Sequence, residues 1–188
     1  MTSSPPRRIC VLGSSGAGKS TLALRIAETL RLPHIELDEL HWGADWTPTD
    51  PETFVARVDE AIAGDSWVVD GNYQSKLGTR ILERADAIVW VDPGRATIMR
   101  QVIARTIRRA GTRQALWNGN RETWDGFKIW KREESIIWWA WHSSGQARTK
   151  FGAIMVDPVF SHAQRRRLRT RSEIADFLED LSAKNRST

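Results

Sequence analysis

Gly13, Gly16, Gly18, Lys19 and Ser20 stand in the spacing G-x-x-x-x-G-K-[ST], with Ser14, Ser15 and Ala17 in the variable places and Thr21 following. Glycines let a backbone wrap a phosphate with no Cβ in the way. A helix that opens directly after such a turn aims its first N–H groups at the anion. Lys19 would then reach the β- and γ-phosphates of a nucleoside triphosphate such as ATP, and the Ser20 hydroxyl would ligate Mg²⁺. The flanks agree with that chemistry. Ile9-Cys10-Val11-Leu12 is a short apolar run that predicts a buried strand, and Leu22, Ile26 and Leu30 recur at helical spacing after the loop.

Three aspartates compete for the remaining roles. Asp70 closes the apolar run Trp67-Val68-Val69, and Asp92 closes Ala87-Ile88-Val89-Trp90-Val91. Either could hold the metal from a strand's carboxyl end. Asp70 is preferred, because Gly71 leaves room for a ligand and the strand beside a phosphate loop usually supplies the acid. Asp38 follows the run His34-Ile35-Glu36-Leu37, which predicts a third such strand end, the rim where ligands bind in open α/β sheets. There it could orient an acceptor hydroxyl or take up its proton. Its other reading is the start of a helical turn, with Trp42 and Trp46 packed as core. His41 has no second histidine at metal-ligand spacing.

The net charge of +5 hides an asymmetry. Between Arg95 and Arg171 seventeen Lys/Arg face five Asp/Glu, an excess of +12, so the remainder carries −7. Twenty-two of the twenty-eight basic residues are arginine, which favours planar, two-pronged contacts to phosphate. Arg105 stands one helical turn from Arg108 and Arg109, so the three could present a fork to the loop. Arg132 and Arg148 are candidates for folding over a transferring phosphoryl group, where guanidinium groups neutralise charge on its oxygens. A nucleic-acid surface is the competing explanation, since Trp117, Trp124, Trp130, Trp138, Trp139 and Trp141 lie among these arginines and could stack on bases.

The elements that must position these residues alternate between strand and helix, which predicts a parallel sheet covered by helices. Asp50 or Thr49 should cap a helix starting near Pro51, a short helix should run from about Ser75 to Arg84, and another from about Arg95 to Arg109. From Ala110 to Ser161 the alternation fails, apart from a helix expected over about Arg121 to Trp141. A fifth strand of poor apolar character is expected at Arg166–Arg169, followed by a helix capped by Ser172. At 188 residues the chain reads as one domain. No apolar run reaches membrane-spanning length, no signal-peptide core follows the polar residues Met1 to Arg8, and the single Cys10 cannot pair internally. A cytoplasmic location is therefore expected.

Taken together, Gly13 to Ser20, Leu37-Asp38-Glu39-Leu40-His41-Trp42, Val68-Val69-Asp70-Gly71-Asn72-Tyr73, the arginine-rich helix and Trp117-Asn118-Gly119-Asn120-Arg121-Glu122 carry a family resemblance. The chain resembles the nucleoside-monophosphate-kinase-like P-loop proteins, the group of adenylate kinase and shikimate kinase. More narrowly it is similar to the bacterial adenylate-kinase-related proteins labelled "DNA topology modulation protein". The resemblance implies a three-layer α/β/α P-loop NTPase fold with a five-stranded parallel sheet, Mg-ATP at the loop, and an acceptor side over residues 38–62. It also implies an Arg/Trp-rich helical lid over residues 110–161, and Asp70-Gly71 would correspond to the Asp-Gly that adenylate kinase places near the metal. Adenylate kinase continues with an aromatic, a proline and an arginine, whereas here Asn72 and Tyr73 follow, so the fold carries over better than the substrate. The expected activity is transfer of the ATP γ-phosphate to a small acceptor. The alternatives are a nucleotide-regulated nucleic-acid-binding protein and a plain NTPase whose acceptor is water.

Overall fold

The computed structural model describes residues 4–112, 116–120 and 136–186. Five strands, β1 (Arg8–Leu12), β2 (His34–Glu36), β3 (Trp67–Asp70), β4 (Ala87–Val91) and β5 (Gln164–Leu168), form one parallel sheet in the order β2-β3-β1-β4-β5. Among the described residues eight α-helices accompany them: α1 (Lys19–Leu30), α2 (Leu37–His41), α3 (Pro51–Ala61), α4 (Gln74–Leu77), α5 (Arg80–Arg84), α6 (Arg95–Thr112), α7 (Ile136–Val156) and α8 (Arg171–Arg186). None of the described helices is long and apolar enough to cross a membrane.

Alternation along the strands divides the core into two layers. Ile9 and Val11 of β1, Val68 of β3, and Val89 and Val91 of β4 pack against Leu22 and Ile26 of α1 and Leu178 and Leu181 of α8. Cys10, Val69, Ile88 and Trp90 face the other way, toward Phe54 and Val58 of α3, Ile81 and Leu82 of α5, and Phe151 of α7. The central strands are apolar throughout because both faces are covered. Trp67 and Phe54 are fully buried, and each stabilises the fold by about 1.5–3 kcal/mol.

Several expected boundaries move. Strand β2 ends at Glu36, and Asp38 lies in the first turn of α2, not at a strand's end. Leu37 is buried and opens a helical turn that the Trp42 N–H closes on the Asp38 carbonyl. The helix expected over Ser75–Arg84 is two short ones, α4 and α5, separated by Gly78 at φ +60°. Strand β5 begins two residues earlier than expected. The cap of α8 is Thr170, whose hydroxyl accepts from the Glu173 N–H, rather than Ser172. Asp50 caps α3 as expected, accepting from the Thr53 N–H at 2.9 Å. Helix α7 runs to Val156, past the expected end at Trp141, because its second half has partners: Phe151 packs edge-on to Trp90 at 6.1 Å and Arg148 pairs with Asp92. Residues 121–135, where that helix was expected to start, lie outside the described residues.

Candidate active site

The loop between β1 and α1 leaves the sheet's carboxyl edge and turns back on itself, with the Ala17 N–H bonded to the Ser14 carbonyl at 3.0 Å. Gly16 and Gly18 sit at φ +77° and +94°, a region where an L side chain is strained. A Cβ on Gly16 would lie 2.3 Å from Val102 Cγ2, so the loop is pressed against α6. Gly18 precedes α1 with no side-chain cap, which leaves the first amides of α1 unsatisfied by the protein. Lys19 and Ser20 are the first two residues of that helix.

A cleft of about 670 Å³ lies between this loop, α1, α6 and the start of α8. Gly16 to Thr21 of the loop and α1 line it, with Gln101, Arg105, Arg108 and Arg109 of α6; Arg25 and Arg171 line it as well. Arg105 Nη2 donates to Ser15 Oγ at 3.1 Å, which holds the guanidinium against the loop. Arg109 stands 6.0 Å from the centre of the Trp117 ring. Among the described residues no carboxylate lines the cleft, and that is the electrostatic complement of a polyanion.

The three aspartates are now distinguishable. Asp70, 1% exposed, ends β3 in register with Val11 of β1, the strand that feeds the loop. Its Oδ2 is buried without a hydrogen bond, 3.5 Å from His34 Nε2. That carboxylate raises the His34 pKa, chiefly through the His34–Asp70 interaction and against the opposing effect of burial. A buried carboxylate oxygen without a hydrogen bond is the kind of hard-oxygen donor that Mg²⁺ takes. Asp92 is differently engaged. It is 4% exposed, accepting from Arg148 Nε at 2.8 Å and from Arg167 Nε at 3.0 Å. Arg167 also lies 4.1 Å from the centre of the Trp90 ring. Thus Arg148, expected over the phosphates, is placed on Asp92 and the Pro93 carbonyl. Arg132 lies outside the described residues.

On the acceptor side, Asp38 Oδ1 accepts from the Tyr73 hydroxyl at 2.6 Å. Burial first, and Asp38 second, push the Tyr73 phenol far above its ordinary range, so it remains a donor. The neighbouring Asn72 amide donates to the Gly13 carbonyl, tying this strand end to the loop. His41 is buried among Trp42, Phe54 and Tyr73, with its Nε2 3.1 Å from Lys76 Nζ. Burial and then the Lys76 charge lower its pKa.

The turn Trp117–Gly119 with Asn120 docks onto the same side. Trp117 Nε1 donates to Glu36 Oε2 at 2.8 Å, Asn118 donates to the Trp42 carbonyl, and Asn120 bonds both the Trp46 N–H and the Gly43 carbonyl. Trp42, Trp46 and Trp117 meet edge to face. The structure therefore brings part of the expected lid onto the expected acceptor segment. Sequence reasoning missed the bonds from Asn72, Tyr73, Asn118 and Asn120. The only signal was their place in two motifs already singled out.

The strand order and this loop can be compared with solved proteins. A shikimate kinase from Bacteroides thetaiotaomicron aligns over 95% of this chain and 97% of its own, with TM-score 0.51 and 18% identity. A shikimate kinase from Acinetobacter baumannii, solved in complex with shikimate, aligns over 93% and 90%, with TM-score 0.52 and 14% identity. The fold is the three-layer α/β/α P-loop fold. A gluconokinase from Sinorhizobium meliloti 1021 aligns over 98% of this chain and 94% of its own, at TM-score 0.48 and 18% identity. Neither a protein-family profile nor a curated relative matches the chain.

Proposed function

We propose that this chain is a Mg-ATP-dependent phosphotransferase that moves the γ-phosphoryl group to a hydroxyl of a small acceptor. The observation that carries the reading is the pairing of a left-handed glycine loop with a cleft walled by Arg105, Arg108 and Arg109 and, among the described residues, free of carboxylates. The α1 amides and Lys19 would bind the β- and γ-phosphates, and Arg105, held at Ser15, would face charge that develops as the terminal P–O bond breaks. Ser20 and Asp70 would hold Mg²⁺, which supplies charge neutralisation between the β- and γ-oxygens when bound. Asp38 has one oxygen on Tyr73, and its other would receive the acceptor's hydroxyl proton as the acceptor oxygen bonds to phosphorus. The kinase titles of the structural neighbours support the same reaction class, at identities that speak to the fold alone.

The nucleic-acid reading loses part of its support, because several of the arginines are engaged by acceptors of the protein itself. Arg148 and Arg167 bind Asp92, and Arg165 binds the Asp157 carbonyl. The narrower likeness to the "DNA topology modulation" proteins rests on the sequence motifs alone. The test is ADP release from Mg-ATP with and without a panel of nucleosides, nucleotides and small hydroxy compounds, beside Lys19→Ala. Acceleration by one acceptor, lost in Lys19→Ala, is the expected result. A Lys19-dependent rate indifferent to every acceptor would point to the plain NTPase. Absence of Lys19-dependent ATP binding would sink the reading.

A further inference from the structure

Gln101 brings a neutral amide to the cleft lining, and the reaction above does not use it. Gln101 lies on α6 one turn before Arg105, and positions 101, 105 and 108 share a helix face. Its carboxamide oxygen is buried and has no hydrogen-bond partner. A buried acceptor without a donor is costly, of the order that makes such atoms rare. Among a lining of cations, this oxygen repels the phosphate oxygens the cleft otherwise attracts. An N–H or O–H donor on a ligand would satisfy it.

The surroundings favour a flat heterocycle at that position. Leu22 of α1, Ala104 of α6 and Ile174 of α8 give the cleft apolar surface, and Arg25 and Arg108 offer planar guanidinium groups that stack on aromatic rings. An exocyclic amine beside a ring nitrogen matches a carboxamide with two reciprocal hydrogen bonds, whereas a carbonyl at the same ring position would face the Gln101 oxygen acceptor to acceptor. Resting on the phosphotransferase reading, we propose that Gln101 is the specificity-determining residue for the donor nucleotide, selecting a 6-aminopurine over a 6-oxopurine.

The experiment is calorimetric titration of the full chain with ATP, ITP and 2′-deoxy-ATP in the presence of Mg²⁺. Wild type, Gln101→Leu and Lys19→Ala are compared. A reciprocal amide–base pair discriminates by about 1–3 kcal/mol, so wild type should bind ATP about 5- to 150-fold more tightly than ITP. Gln101→Leu should weaken ATP by a similar factor, leave ITP nearly unchanged and bring the ratio toward one. Because that change removes an unsatisfied buried oxygen, the variant should unfold at the same denaturant concentration as wild type or a higher one. Equal affinity for ATP and ITP in wild type, or a ratio that survives Gln101→Leu, overturns the assignment. Loss of discrimination against 2′-deoxy-ATP alone would place Gln101 on the ribose and overturn it as well. If Lys19→Ala binds all three nucleotides like wild type, the phosphotransferase reading itself fails, a result distinct from Lys19-dependent binding that ignores the base.

Discussion

Removal of the Asp92 carboxylate is the sharpest probe of how the sheet holds the surrounding helices. Asp92 is 4% exposed and receives Arg148 from α7 and Arg167 from β5, the two guanidinium groups being 39% and 37% exposed. A hydrogen bond to a charged partner contributes about 1.5–3 kcal/mol net. Two such arginines set an upper figure of about 3–6 kcal/mol. Solvent at the outer ends of both guanidinium groups screens them, and halving for that screening leaves about 1.5–3 kcal/mol for Asp92→Ala. In a chain of this size that corresponds to a fall in Tm of about 3–12 °C. Arg148→Ala should cost only about 1 kcal/mol, because Arg167 still neutralises the carboxylate. The double variant should therefore be at least about 1 kcal/mol more stable than the sum of the singles predicts. Urea denaturation with an unchanged m-value measures all three. A cost for Asp92→Ala below about 0.5 kcal/mol, the range of ordinary surface substitutions, would refute the reasoning. So would an Arg148→Ala as damaging as Asp92→Ala.

Gly16→Ala combines a left-handed φ with a Cβ 2.3 Å from Val102, and should cost about 2–5 kcal/mol from backbone strain plus overpacking. Gly152→Ala in α7, where a Cβ meets nothing within 4 Å, should instead stabilise by about 0.5–1 kcal/mol. Denaturation midpoints separate the two. His34 has a raised pKa in the fold, so its interaction with Asp70 stabilises fully below the unfolded value of about 6.5 and fades as pH rises through the higher folded value. Between pH 6 and 8.5 wild type should lose stability relative to His34→Gln; parallel curves would remove that pair from the account. Burial pushes the Cys10 thiol up to about 12, so a thiol reagent at pH 8 should react no faster than the protein opens, and fully in denaturant. Rapid modification of the native protein would contradict the burial of β1.

How much of this was legible in the sequence depended on how locally each feature is determined. The phosphate loop was readable because its chemistry demands glycines at fixed separations between a strand and a helix, all within a few residues. The central strands were readable because burial on both faces makes them apolar without interruption. Asp38 was misplaced because a run as short as His34-Ile35-Glu36-Leu37 does not separate a strand from a helical turn. Asp70 and Asp92 close strands of the same kind, and what distinguishes them is arginines 56 and 75 residues further along the chain. The turn at Trp117 was recognised as a motif, yet its partners at Glu36, Trp42 and Trp46 lie far back in sequence, where no periodicity reports them. Strand β5 was the hardest to bound, since Leu168 is its one buried residue.

Strand β5 also has a bearing on what happens when two of these molecules collide. It is an outer strand of the sheet, and it carries Arg165, Arg166 and Arg167 in succession. An outer strand offers unpaired N–H and C=O groups to any extended chain that approaches. Here such a chain would have to dock beside arginines on both faces of the strand, and a second copy of β5 would bring the same positive charge. At the opposite border β2 is three residues long, too short a template for stable pairing. Both borders of the sheet are thus defended against edge-to-edge aggregation, one by charge and one by brevity.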